Sequence, residues 1–151
     1  MVGGERWFED CTVLEPTFKD IDMALLKINN AGGFVPLPLR QPEQPIGTTE
    51  EILICGYPFG VQLRIQQDRG FVPSVFMGSV SSVQAAGTEH ERVFIDCAAK
   101  SGNSGSPVIS MADGTVIGML DASTTSQSGK LMEEINYFTP IRRAWERFIQ
   151  R

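Results

Sequence analysis

Histidine occurs once in the 151 residues, at His90, so a reaction that needs an imidazole base has a single candidate in the chain. Cysteine is scarce and odd in number. Cys11, Cys55 and Cys97 read as small buried hydrophobes and imply neither a disulfide frame nor a metal site, which leaves the compartment open. No segment is long and apolar enough to cross a bilayer, so no membrane partner is expected. Met1-Val2-Gly3-Gly4 has neither the basic nor the apolar region of a secretory leader. Basic clusters are missing too, and a formal net charge of −5 argues against a nucleic-acid partner. There are no internal repeats. What remains, at 42% apolar and 21% charged residues, is the composition of an ordinary globular protein able to bury a sizeable core.

The informative stretch is Lys100-Ser101-Gly102-Asn103-Ser104-Gly105-Ser106-Pro107-Val108-Ile109, which sets one serine on a glycine-flanked turn between two apolar, strand-like runs. An acyl-transfer serine needs its Oγ at the tip of a tight turn, with main-chain N–H groups aimed at the oxygen of a tetrahedral intermediate and side chains kept clear. Gly102 and Gly105 keep that space, and the N–H groups of Gly102 and Ser104 are the candidate donors. A polar surface turn would also be rich in Gly, Ser and Asn. The strand after Pro107, the hairpin signal Asp113-Gly114 and the second run Thr115-Val116-Ile117-Gly118-Met119-Leu120 favour the catalytic reading. They also argue against the elbow of α/β-hydrolases, in which a helix follows the serine and a glycine stands where this chain has Ser106.

Gly102-Asn103-Ser104-Gly105-Ser106-Pro107 resembles the nucleophile motif of the trypsin-like (chymotrypsin-fold) serine peptidases, and its second serine is similar to the bacterial glutamyl endopeptidases. Asp20-Ile21-Asp22-Met23-Ala24-Leu25-Leu26-Lys27-Ile28 resembles the segment around the triad aspartate in the bacterial members, including the high-temperature-requirement group. Ile52 to Gly60, Met77 to Ser82, Asp96 to Ala99 and Asn136 to Pro140 follow in the family's order, so the resemblance runs from about Asp20 to the C-terminus. It implies Ser104 as nucleophile, Asp22 as the carboxylate that orients a histidine, and Gly102 and Ser104 as the oxyanion hole. It implies a polypeptide substrate, and no cofactor or metal.

The family's base precedes the aspartate, and no histidine does so here. His90, between Glu89 and Glu91, reads as a solvated loop residue, and a strand over 92–98 would carry the chain roughly 20 Å away from it towards Ser104. Lys100 is conceivable as a base, but nothing around it suggests desolvation.

The resemblance implies two six-stranded barrels, and the strands this length offers leave the first of them incomplete. Strands are expected over 6–14, 23–28, 51–56, 63–67, 72–83, 92–98, 107–110, 115–122 and 134–139. The expected fold is all-β: residues 1–30 form the last strands of a first antiparallel barrel, 31–50 an interbarrel linker rich in Gly, Pro and Gln, and 51–151 a complete second barrel with a C-terminal helix. That helix should dock Trp145, Phe148 and Ile149. The two N-terminal strands would leave an open edge and an apolar face. A longer parent protein, a separate chain supplying the other strands and the histidine, or a second copy would cover them, and the first is favoured.

The resemblance places the primary specificity pocket at Ala98 and at Leu120-Asp121-Ala122, with Asn136 nearby. Ala98 brings no carboxylate, so a small to medium apolar side chain is expected before the scissile bond. Leu120 stands where glutamyl-specific enzymes carry a histidine, which argues against glutamyl specificity. The resemblance thus implies the C-terminal part of a serine endopeptidase, inert or nearly so by itself. The alternative is a non-catalytic pseudopeptidase that binds protein.

Overall fold

The computed structural model describes residues 11–18, 21–29, 33–58, 73–99, 102–124 and 135–149. The chain divides into two compact units, Met1–Pro36 and Leu37–Arg151.

In the first unit, β1 (Cys11–Phe18) and β2 (Met23–Ile28) pair antiparallel, with Val13 opposite Leu26. Their β-branched and leucine residues suit a pleated surface. Val13, Leu14, Leu26 and Ile28 are exposed, whereas Ile21 and Met23, which flank Asp22, are buried.

The second unit is a closed antiparallel barrel of six strands: β3 (Glu51–Gly56), β4 (Ser74–Gln84), β5 (Arg92–Ile95), β6 (Pro107–Ser110), β7 (Val116–Thr124) and β8 (Ile135–Pro140). Around the barrel the order is β3-β4-β5-β8-β7-β6, and β6 pairs with β3 to close it. Closure removes the unpaired edge that an open sheet would carry. Alternation decides which side chains face inward: Ile52 and Ile54 from β3, Val93 and Ile95 from β5, and Val108 from β6 meet Ile117, Leu120 and Phe138 in one core. Gly118 is fixed by this packing, since a Cβ there would lie 2.1 Å from the Phe138 ring. The sequence reading allots seven strands to this part of the chain. Six close the barrel, and the seventh, 63–67, lies outside the described residues.

The helix expected after β8 is short. One α-turn, α1 (Arg142–Ala144), widens into a π-turn over Trp145–Ile149. In an unbroken α-helix Trp145, Phe148 and Ile149 would share one face. The i→i+5 winding moves Ile149 off it, and Ile149 is 45% exposed rather than docked. Trp145 is held instead by a hydrogen bond, its Nε1–H donating to the Arg40 carbonyl at 3.0 Å.

Arg40 organises one end of the barrel. Residues 38–40 run beside the start of β7, with the Arg40 N–H on the Val116 carbonyl and the Val116 N–H on the Pro38 carbonyl. The guanidinium, 8% exposed, contacts Glu50 at 2.6 Å and Asp113 at 3.2 Å, and Nε reaches Thr115 Oγ1. Glu50 also accepts from the Ser110 hydroxyl at 2.6 Å and from the Gly47 N–H. Burial by itself would raise the Glu50 carboxyl, but Arg40, Ser110 and Gly47 outweigh it and hold the group below its ordinary 4.5. A second ion pair, the buried Glu91 with the half-buried Arg142, ties the loop before β5 to the helix.

Removing one member of a buried, multiply bonded pair strands the other. Arg40→Met should therefore lower barrel stability by about 3 kcal/mol in urea denaturation at neutral pH. A carboxyl whose folded pKa is depressed contributes stability fully above its unfolded value and loses it as pH falls through the folded one. The gap between the native protein and Arg40→Met should thus narrow once pH drops below 4.5; a gap independent of pH would contradict this account.

Candidate active site

β5 leads away from the loop that carries His90 and runs into Asp96–Ala99, which precede the Ser104 turn. This lead-in segment is clamped on both sides. Asp96 accepts both the N–H and the hydroxyl of Ser79 on β4, and these two bonds hold its carboxyl below the usual range. Gly78 leaves room for Cys97, whose Cβ would lie 2.8 Å from any Cβ at position 78. From β8, Asn136 Nδ2 donates to the Cys97 carbonyl at 2.7 Å and to the Ala99 carbonyl at 3.5 Å. Burial and the neighbouring Asp96 push the Cys97 thiol up, which suits a packing role and not a nucleophile.

Residues 103–106 then form a tight turn, closed by the Ser106 N–H donating to the Asn103 carbonyl at 3.0 Å. Gly105 has φ +86°, as the third position of a type II turn requires, and Gly102 before the turn has φ +96°. Ser104 stands at the exposed second position. β7 fixes the far side of the turn: the Gly105 N–H donates to the Leu120 carbonyl at 2.7 Å, and the Leu120 N–H donates to the Ser106 carbonyl at 2.9 Å. Among the described residues, neither the Gly102 nor the Ser104 N–H is bonded to a main-chain carbonyl. Two N–H groups near an exposed hydroxyl are the elements an oxyanion hole needs.

The other sequence-derived residues fall as follows. Ala98 is exposed. Leu120 sends its side chain into the barrel core, so only its main chain borders the Ser104 turn. Asp121 is half-buried and accepts from the Thr139 hydroxyl at 3.3 Å. Ala122 lies within β7. Asn136 is buried, with its amide committed to the lead-in carbonyls. Asp22 belongs to the first unit, in the turn before β2, and has the left-handed φ of +47° that aspartate tolerates better than most residues. His90 is solvated, with its nearest charge on Glu89 at 3.4 Å. Lys100 lies outside the described residues.

Sequence reasoning missed Asn103. Its side chain is fully buried, and neither Oδ1 nor Nδ2 finds a hydrogen-bond partner among the described residues. A polar residue inside a Gly-Ser turn gives no signal of burial. Gly56 at the end of β3 was legible only as part of Gly56-Tyr57-Pro58-Phe59-Gly60, with no hint of what it faces.

A family profile described as "Trypsin-like peptidase domain" matches residues 4–119. Among curated protein sequences, none matches the chain. Solved structures do. Rv3671c from M. tuberculosis H37Rv, captured in an inactive form, superposes with a TM-score of 0.66 at 16% identity, covering 94% of this chain and 64% of that one. The HtrA-type protease AlgW with a decapeptide gives 0.65 at 27% identity, covering 90% of this chain and 38% of that one. A serine endoprotease from Yersinia pestis gives 0.62 at 20% identity, with 83% and 38% covered. The chain therefore spans from under two-fifths to under two-thirds of the length of these structures.

If Asn136 anchors the approach to the turn, Asn136→Ala should cost about 1–2 kcal/mol in denaturant unfolding. It should also speed amide hydrogen exchange at Ala99 more than in β3. Equal acceleration in both places would mean that Asn136 supports the barrel generally and the turn not at all.

Proposed function

The chain belongs to the trypsin-like peptidase domain family, and on that footing we propose that it is the nucleophile-bearing part of a serine endopeptidase that hydrolyses peptide bonds through an acyl-enzyme on Ser104. The observation that carries the proposal is the 103–106 turn, which exposes Ser104 and leaves the N–H groups of Gly102 and Ser104 without a main-chain acceptor among the described residues. Ser104 Oγ attacks the scissile carbonyl while its proton passes to a base. The carbonyl oxygen takes the negative charge and is stabilised by the two N–H groups. The amine then leaves with that proton, and water repeats the sequence to free the acid.

The base is an imidazole from outside these 151 residues. A serine hydroxyl attacks poorly until its proton is taken, and His90 is solvated beside Glu89 at the other end of β5. Asp22 is the carboxylate that orients that imidazole and stabilises it once charged. Polypeptide substrates are supported by the likeness to AlgW, solved with a decapeptide. Ala98 and the main chain around Leu120, Asp121 and Ala122 form the primary pocket, which takes a small to medium apolar side chain. Asn136 contributes by holding the segment that carries Ala98.

A fluorophosphonate probe tests the proposal. In the longest natural form of the protein it should label Ser104, and Ser104→Ala should abolish labelling. The 151-residue chain alone should react at least about 10³-fold more slowly, as expected when the base is lost. Absence of labelling in the longest form would defeat the peptidase reading and favour a protein-binding pseudopeptidase.

A further inference from the structure

Asn103 presents a physical puzzle. A fully buried amide with no partner for either polar atom among the described residues costs free energy and gains no orientation from hydrogen bonding to them. Among the described residues, packing is what holds it. The surroundings of Gly56 supply the answer. An added Cβ at that position would lie 2.2 Å from Ser106 Oγ, 2.7 Å from Asn103 Oδ1 and 3.3 Å from Asn103 Cγ. The last residue of β3 is thus a notch into which the side chains on either side of Ser104-Gly105 both fit. Backbone freedom is not the reason for this glycine, because its φ is not in the left-handed region that Gly102 and Gly105 occupy. Space is what position 56 supplies.

We infer that Gly56 is a positioning residue for the nucleophile: the notch it leaves in β3 receives Asn103 and Ser106, and this packing sets the height and direction of Ser104 between them. The inference rests on Ser104 being the nucleophile. Among the described residues, the main-chain bonds from β7 reach the turn at Gly105 and Ser106, on the C-terminal side of Ser104. Asn136 grips it upstream, at residues 97 and 99. Between those two attachments, among the described residues, the side chain of Asn103 packs against Gly56 next to Ser104. A Cβ at 56 must displace buried side chains packed beside the reacting serine, and a shift of about 1 Å in such a group can cost on the order of 100-fold in rate.

The test measures the second-order rate of fluorophosphonate labelling in the longest natural form, at a temperature where every variant is fully folded by circular dichroism. Gly56→Ala should label about 10- to 100-fold more slowly. Combining it with Ser106→Gly, which removes the nearest obstructing atom, should recover much of the loss. Asn103→Ala adds no atom and keeps the test valid if Gly56→Ala does not fold. It removes a buried amide that lacks hydrogen-bond partners among the described residues, so thermal stability should hold or rise while labelling still falls at least about tenfold. A purely structural contact would move stability and rate together. Labelling at the unsubstituted rate in either variant, counted per folded molecule, overturns the role of Gly56. Failure of the unsubstituted protein to label defeats the nucleophile reading itself, and the Gly56 inference with it.

Discussion

The exchange of two main-chain hydrogen bonds between the 103–106 turn and Leu120 connects this barrel to any chemistry it performs. The Gly105 N–H and the Leu120 carbonyl form one bond, and the Leu120 N–H and the Ser106 carbonyl form the other. Each is worth only about 1 kcal/mol net. Their geometric effect is larger. They extend the β6–β7 ladder beyond Pro107 and make the turn part of the sheet, so the position of Ser104 follows from barrel packing. Leu120 joins the two levels in one residue: its side chain is locked among Ile117 and Phe138 in the core, and its main chain holds the turn. Glycine at 105 is a consequence, since the closed turn needs φ +86° at that position.

Charged groups are distributed differently from this. Arg40, Glu50, Asp113, Ser110 and Thr115 form a network around the Ser110–Thr115 turn between β6 and β7, with Arg40 and Ser110 buried and Asp113 exposed, and Glu91 pairs with Arg142 at the start of the helix. These pairs fasten residues 38–50 and the C-terminal turns to the barrel. Such pairs are costly to desolvate and specify geometry more than they add stability. The Ser104 turn is held instead by main-chain bonds, by the neutral amide of Asn136 and by packing against Gly56.

The legible part of the molecule is what short-range pattern encodes. Ile52 and Ile54 alternate with outward residues, so β3 is readable; Asp113-Gly114 marks the hairpin between β6 and β7; the two glycines about Ser104 announce a turn with left-handed positions. Collinear motifs identified the family, and the family profile over residues 4–119 agrees. What sequence could not yield depends on contacts distant in the chain. Arg40 reads as one charge in a proline-rich linker, yet it pairs with Asp113 across 73 residues. Asn103 reads as a surface turn residue and is fully buried. Asn136 reads as a pocket neighbour, whereas its amide bonds the main chain 39 residues earlier. The closing helix was readable from the spacing of Trp145, Phe148 and Ile149, but not its change to a π-turn, which exposes Ile149.

The central claim is that the turn at Ser104 is built to hold a developing oxyanion through the N–H groups of Gly102 and Ser104. A crystal structure of the phosphonylated protein, with the probe covalently attached to Ser104, measures this directly. The account predicts the phosphonyl oxygen about 2.7–3.1 Å from both nitrogens, with the Leu120 bonds to Gly105 and Ser106 intact. An adduct whose oxygen faces solvent, with either nitrogen bonded elsewhere, would contradict it.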